Sequence, residues 1–227
     1  MSPLDDPIGA SLRGAHAGLA IAAGLAARYP AEVSPFACLA EASGPALADL
    51  GRIVSPGEVV LVMSPDLPLV GGWQVFGGVE VIQMVCATRL EAPEPTSAPE
   101  PLGAGDVAEM LELVEATRPG PFGTRTIEMG RYVGFRSAGR LVAMGGERLR
   151  PPGYTEVSGI CTDPGFRGRG LGEAVVRAIG AGIQRRGEAP FLHVMVGSPA
   201  EAAAVALYER LGFRERRRAR LTIVQRS

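Results

Sequence analysis

The sequence predicts an α/β protein in two parts, on three observations. Strand-like and helix-like segments alternate along the chain, a proline-rich stretch at 91–101 interrupts them, and a glycine-rich turn at 162–172 leaves one strand-like segment to open a helix-like one. With 227 residues the chain can form one large domain or two of about a hundred residues each, and either is long enough to bury a core. A hydrophobic content of 46% with 21% charged residues is that of a globular chain and argues against disorder.

From Ile8 to Arg28 an alanine-rich segment sets Leu12, His16, Leu19, Ala23 and Ala26 at spacings of three and four, which predicts a helix ended by Tyr29-Pro30. His16 reads as a packed side chain, because nothing nearby completes a metal set. Residues 31–56 mix short helical pieces with turns. Glu58 to Met63 and Val79 to Ala87 are strand candidates, and a Pro- and Gly-rich loop lies between them at Ser64 to Gly72. Trp73, the single tryptophan, reads as packing rather than as a substrate contact. The stretch from Glu91 to Pro101 carries four prolines and no core-forming residue, so it is expected to be a semi-rigid linker between an N-terminal α/β domain at 1–90 and a second domain at 102–227.

Beyond the linker, Asp106 and Glu109 make a capping-box pair. Val107, Met110, Leu111 and Val114 give one apolar helical face that runs to about Thr117 and stops at Arg118-Pro119-Gly120. Arg131 to Arg136 and Arg140 to Glu147 read as a hairpin joined at Ser137-Ala138-Gly139, and Tyr154 to Thr162 as the strand that feeds the glycine turn. The helix that follows, Leu171 to Arg186, buries Val175, Ile179 and Ile183; its Gly180 and Gly182 cost about 1 kcal/mol each relative to alanine and predict a close approach to a sheet. Phe191 to Val196 is a further strand. Ser198-Pro199-Ala200-Glu201 combines an N-cap, a first-turn proline and a capping glutamate ahead of a helix ending at the C′ residue Gly212, and Phe213 to Val224 supplies the last one or two strands.

The turn carries the chemistry. Glycines at 168, 170 and 172 remove the Cβ atoms that would keep a polyanion from the backbone and permit positive φ, and the positive end of the following helix adds to the attraction. The spacing G-x-G-x-G disfavours a dinucleotide turn, which needs G-x-G-x-x-G, and a chain without lysine has no Walker A loop. A nucleic-acid-binding RGG segment would be long and repetitive, whereas this is one turn inside periodic structure. Arg167-x-x-Gly170-x-Gly172 instead resembles the [Q/R]-x-x-G-x-[G/A] signature of the GNAT superfamily of N-acetyltransferases. Ala204-x-x-Leu207-Tyr208-x-x-x-Gly212-Phe213 is similar to the A-x-x-L-Y-x-x-x-G-F element that closes the same family's core, and the resemblance spans about residues 102–225.

That resemblance implies a GNAT acyl-CoA N-acyltransferase fold, a mixed, mostly antiparallel sheet flanked by helices. It implies acetyl-CoA as co-substrate, with no metal, and direct attack by a primary amine in a ternary complex. The backbone at Ile160, Cys161 and Thr162 would meet the pantetheine arm and supply the oxyanion donor. Arg167, Gly168, Arg169, Gly170, Leu171 and Gly172 would hold the pyrophosphate. Tyr208 matches the family's general acid, with a core tyrosine as the other reading. Glu156, six residues before Thr162, stands where the histone-type branch carries its base; water and, more weakly, His193 are the other candidates. Cys161 reads as an apolar filler rather than as an acyl-cysteine nucleophile. The family's asparagine three residues before the alanine is Glu201 here, which also fits a capping role.

Charge is divided along the chain: residues 1–100 carry 4 Arg against 11 acids, and residues 101–227 carry 19 Arg against 13 acids. The basic half contains the turn, which suits a multiply phosphorylated ligand, while the arginines from Arg214 to Arg220 also suit a solvated edge strand. Nucleic-acid binding through that tail lacks interleaved aromatics and a basic net charge. Three scattered cysteines, Cys38, Cys86 and Cys161, exclude a disulfide framework and point to a reducing cytoplasm; no basic leader and no apolar run long enough for a bilayer occur. The expected partner is a small-molecule or protein amine, with neither nucleic acid nor membrane, and homodimer formation stays open. A binding module for acyl-CoA that has lost turnover is the competing function.

Overall fold

The computed structural model describes residues 2–64, 66–68, 71–94 and 98–227. Helix α1 (Pro7–Leu12) is followed by strands β1 (Ile21–Ala23), β2 (Ala26–Arg28) and β3 (Phe36–Leu39), helix α2 (Gly44–Leu50), and strands β4 (Val59–Val62), β5 (Trp73–Cys86) and β6 (Glu100–Leu102). Then come α3 (Val107–Thr117), β7 (Tyr132–Ser137), β8 (Arg140–Glu147), β9 (Tyr154–Thr162), α4 (Leu171–Arg185), β10 (Ala189–Met195), α5 (Glu201–Arg210) and β11 (Phe213–Arg226). All eleven strands join one sheet in the order β1-β2-β3-β4-β11-β5-β10-β9-β8-β7-β6. Among the described residues only β3–β4 and β9–β10 pair in parallel.

This order corrects the expected division at 91–101. β5, from the first part of the chain, lies between β10 and β11 of the second, pairing along Phe191–Met195 on one side and Phe213–Arg226 on the other. The prolines do interrupt periodic structure, but the chain that follows returns to the same sheet, and Glu100 and Pro101 already belong to β6. The inner part of the linker, 95–97, and parts of the expected 64–72 loop, 65 and 69–70, lie outside the described residues.

The long helix expected over 8–28 is also corrected. α1 stops at Leu12, and a β1–β2 hairpin turns at Gly24, whose φ of +52° glycine adopts most readily. Asp49 Oδ2 holds that turn by accepting from Leu25 N at 2.7 Å. Alanine favours a helix but offers little apolar surface to fix one, and Gly14, Gly18 and Gly24 weaken it further, so pairing with β3 prevails. Asp106 and Glu109 do not form the expected capping box: Asp106 Oδ2 accepts from Gly103 N, while Glu109 reaches Arg136 at 2.6 Å and Leu141 N at 3.1 Å.

Two faces cover the sheet. Leu4, Ile8 and Leu12 pack with Tyr29, Val81, Phe191 and Leu221 on one side, where α3 also sits through Met110 and Leu113 against Leu141, Met144 and Cys161. On the other, α4 buries Val175, Val176, Ile179 and Ile183 against Val157, Leu192 and Val194, each large side chain contributing roughly 1.5–3 kcal/mol. Gly180 marks a close approach, but to Leu90 beyond the end of β5 rather than to a strand, an added Cβ lying 2.2 Å from it; at Gly182 an added Cβ meets only Arg185, at 3.7 Å, so the expected approach to a sheet does not occur there. Trp73 packs over α2 and donates to Leu47 O at 3.1 Å, a structural role.

Because β4 and β5 are contributed from outside residues 102–227, a fragment of those residues leaves β10 without its β5 ladder and β11 without either of its partner strands. It is expected to show no cooperative thermal transition by circular dichroism, whereas the full chain does; a two-state melt of the fragment would show that the second part folds alone.

Candidate active site

The site begins where β9 and β10 part. They pair only at Tyr154, Thr155 and Glu156 with Ala189, Pro190 and Phe191. Above that rung β9 continues to Thr162 against β8 alone, and β10 to Met195 against β5 alone. Each strand therefore turns an unpaired backbone edge to a widening gap. Gly159, at φ +64°, bulges β9 within it, and Ser158, Gly159 and Ile160 are half-exposed while their neighbours Thr155 to Val157 are buried. A glycine inside a strand pattern was the signal for this bulge.

At the top of β9 the chain enters the glycine turn. Asp163 Oδ1 accepts from Gly165 N at 2.8 Å, and its other oxygen pairs with Arg140 at 2.7 Å, which holds this carboxyl below the usual carboxylate range. Gly168 (φ +75°) and Gly170 (φ +77°) adopt the left-handed conformation, and a Cβ at either would meet nothing within 4 Å. Backbone conformation, not crowding, favours glycine at both positions. The exposed amides of residues 168–170 find no acceptor among the described residues, and Gly170 caps α4 without a side-chain bond. These donors and the first turn of α4 make a concave row of N–H groups suited to a phosphate. Arg167 and Arg169 stand exposed beside it; Arg169 lies 4.7 Å over the Phe166 ring and donates to Gly165 O, and Arg167 Nε lies 3.4 Å from Thr162 O.

Tyr208 joins the apolar cluster that includes Val157, Leu192 and Val194 of the two parting strands. Its ring lies 5.8 Å from Phe213, its hydroxyl bonds to no described residue, and burial pushes its pKa up to about 12. Ile160 faces the same side, while Cys161 faces α3 among Leu113, Met144 and Tyr132. Burial raises the Cys161 thiol to about 11, which leaves it protonated and unsuited to nucleophilic attack.

Glu156 is placed differently from a general base. Its side chain is fully buried at the last paired rung, facing Tyr29 and α1. Both oxygens bind the Arg148 guanidinium, at 2.8 and 2.9 Å, and one also takes His193 Nδ1 at 2.7 Å. Leu149 N adds a contact at 3.3 Å. Burial alone would raise its pKa, but Arg148 and His193 reverse this and hold it far below the ordinary value. Such a carboxylate has neither the basicity nor the access to take a proton from an amine, which corrects the base role assigned by resemblance. His193 is occupied too, with Gln83 at 3.1 Å on its second nitrogen. His16 bonds Tyr29 Oη at 2.9 Å and Met129 O at 3.1 Å, a buried structural histidine. Glu201 caps locally, accepting from Gly197 N at 2.7 Å, although α5 begins at Glu201 rather than just after Ser198. Arg148, Arg140 and Phe166 were not expected at the site from the sequence.

A parallel pair of strands opening toward a glycine turn with unpartnered amides is the architecture that relates this chain to known proteins. The FR47-like protein family matches residues 132–222. A candidate acetyltransferase of the GNAT family from Novosphingobium aromaticivorans DSM 12444 superposes with a TM-score of 0.90 at 36% identity, over 100% of both chains. A GCN5-related N-acetyltransferase from Kribbella flavida shares the fold at a TM-score of 0.61 and 18% identity, over 96% of this chain and 95% of that one. The N-alpha-acetyltransferase RimI of Mycobacterium tuberculosis (strain ATCC 25618 / H37Rv) is 40% identical over 85 residues, which are 36% of this chain and 51% of that protein. The chain belongs to the GNAT family, with the family's mixed sheet flanked by helices. Among the described residues no helix is long and apolar enough to cross a membrane, and no group of three or more His, Cys, Asp or Glu could hold a metal.

The clamp makes a prediction about acid. Folding lowers the Glu156 pKa from its ordinary value of 4.5, so its stabilisation is present in full above about pH 4.5 and fades as pH falls below it. Glu156→Gln is expected to lose about 3 kcal/mol at pH 7, with the gap to wild type narrowing below pH 4.5 in urea titrations. Equal stability at pH 7 would exclude the clamp.

Proposed function

We propose that the protein is an N-acetyltransferase that carries an acetyl group from acetyl-CoA to a primary amine within one ternary complex. The parting of β9 from β10 above the Glu156–Phe191 rung, leading into the free amides of residues 168–170, carries this reading. An extended pantetheine arm fits an unpaired strand edge as an added strand would, here along Ile160, Cys161 and Thr162 of β9. The pyrophosphate fits the row from Arg167 to Gly172, where an added Cβ at Gly168 or Gly170 would intrude into open space the ligand needs. Bound there, acetyl-CoA supplies an acyl carbon activated by a thiolate leaving group.

The chain's own groups then have separable tasks. An N–H of the bulged segment of β9 stabilises developing negative charge on the carbonyl oxygen. Tyr208, protonated throughout the neutral range, donates to the departing sulfur. With Glu156 and His193 locked together, the amine loses its proton to water rather than to a side chain. Glu201, the departure that motivated the binding-only alternative, is accounted for by its cap to Gly197. The likeness to an N-alpha-acetyltransferase supports peptide α-amines as acceptors to be tested beside small amines. Three cysteines without disulfides support a cytoplasmic setting.

Calorimetric titration with acetyl-CoA tests the reading. Wild type is expected to bind saturably; Arg167→Ala should weaken binding roughly 10-fold or more through a lost charge-assisted contact, and Gly170→Asp should abolish it. In acetylation assays with amine and peptide panels, Tyr208→Phe is expected to lower kcat roughly 100-fold with little change in KM for acetyl-CoA. Failure of wild type to bind acetyl-CoA would end the enzyme reading, and binding without turnover of any amine would favour the regulatory module.

A further inference from the structure

We propose that the cavity between the C-terminal half of α4 and the β6–β7 edge is a second binding site, for a small organic anion with a carboxylate or phosphate at one end and an apolar body. The cavity encloses about 550 Å³, within the range of small-molecule sites. Its nearest residue on α4 is Ala178, so about 12 Å of helix separates it from Gly170 at the glycine turn, at the rise of 1.5 Å per residue. The site is therefore distinct from the gap between β9 and β10, and the proposal does not depend on the reading of that gap.

Two features give the ligand its chemistry. Leu102, Ile127, Val133 and Ile179 form apolar walls, which suit a hydrocarbon or aromatic body. Arg131, Arg185 and Arg186 line the same space. The acids nearby are already engaged: Glu128 receives Arg125 on both oxygens, at 2.7 and 2.8 Å, and the buried Glu147 receives Arg186 at 3.0 Å. Arg131 and Arg185 make no side-chain hydrogen bond or ion pair among the described residues, so the cavity keeps a surplus of positive charge.

Arg186 supplies the pointed observation. Its terminal nitrogens reach Glu147, Glu188 and Gly182 O, but its Nε is buried with no acceptor among the described residues. A buried guanidinium N–H without a partner is costly and rare. A carboxylate or phosphate can accept from the unpaired Arg131 and Arg185 guanidinium groups, with the Arg186 charge behind them, while its apolar end lies on the walls. Arg186, Gly187 and Glu188 amides already cap the last carbonyls of α4, so the guanidinium groups set the local charge.

Calorimetric titration of the full chain with phenyl phosphate and with 4-phenylbutyrate, against neutral 4-phenylbutanol, tests the site without acetyl-CoA or turnover. Both anions are expected to bind saturably with Kd below about 1 mM and the alcohol not to bind. The exposed, unpaired Arg131→Glu and Arg185→Glu should each weaken the anions by about tenfold or more. Ala178→Trp, which fills the cavity, should abolish binding. Because the two arginine variants alter only surface side chains, they decide the matter even if the tryptophan variant misfolds. No saturable binding, equal binding of the alcohol, or affinities unchanged by both charge reversals would overturn the proposal.

Discussion

The opening of the sheet depends on the clamp beneath it. Two parallel strands that part would continue to separate, or would close, without something fixed at the last shared rung. Glu156 occupies that rung, and through it three segments are tied: Arg148 at the start of the β8–β9 connection, β9 itself, and His193 on β10. The backbone repeats the tie, since Arg148 N donates to Glu156 O and Glu156 N to Leu149 O. A buried ion pair of this kind contributes little net stability against an apolar substitute, but removing one partner strands the other. Its effect here is geometric: the interaction that engages both oxygens of Glu156 also sets the angle at which β9 and β10 part.

That angle also requires the far side of β10 to be held, which is where the N-terminal part enters. β5 pairs with β10 from Phe191, the last residue shared with β9, through the diverging Leu192 to Met195, so it supplies the ladder β10 loses in parting. The polar layer runs on through it: Gln83 of β5 contacts His193, receives Arg216 from β11 at 2.9 Å, and donates to Leu4 O. The first 90 residues are thus part of the framework of the cleft, not an appendage beside it.

What could be read in the sequence was local. The glycine turn, the β7–β8 hairpin with Ala138 and Gly139 at positive φ, and the end of α3 at Arg118 are each decided by conformations of a few adjacent residues, and each occurs as expected. The misread parts were decided at a distance. Residues 8–28 have helical spacing, yet Asp49 and β3 make part of them a hairpin. Glu156 stands at the offset of a catalytic base, yet its partners are eight residues before it and 37 after it, on two other segments. Only the pairing that assembles the sheet brings Arg148 and His193 to it, and single-chain spacing carries no trace of that.

The uneven distribution of charge has a structural answer of the same kind. An acidic first part and a basic second part become neighbours once β5 enters between β10 and β11. Asp5 then binds Arg216 at 2.5 Å and lies 3.6 Å from Arg217, while Glu80 takes Arg218 at 3.2 Å. Three arginines of the run that looked like a free basic tail are in this way matched by acids of the other part. Arg167 and Arg169 at the glycine turn form no direct ion pair among the described residues, the nearby Asp163 being taken by Arg140, and both remain exposed beside free amides. Surface pairs such as those on β11 are worth little in stability. Their consequence is a contrast of field, because positive potential cancelled along β11 survives at the turn, where a polyphosphate would be drawn in.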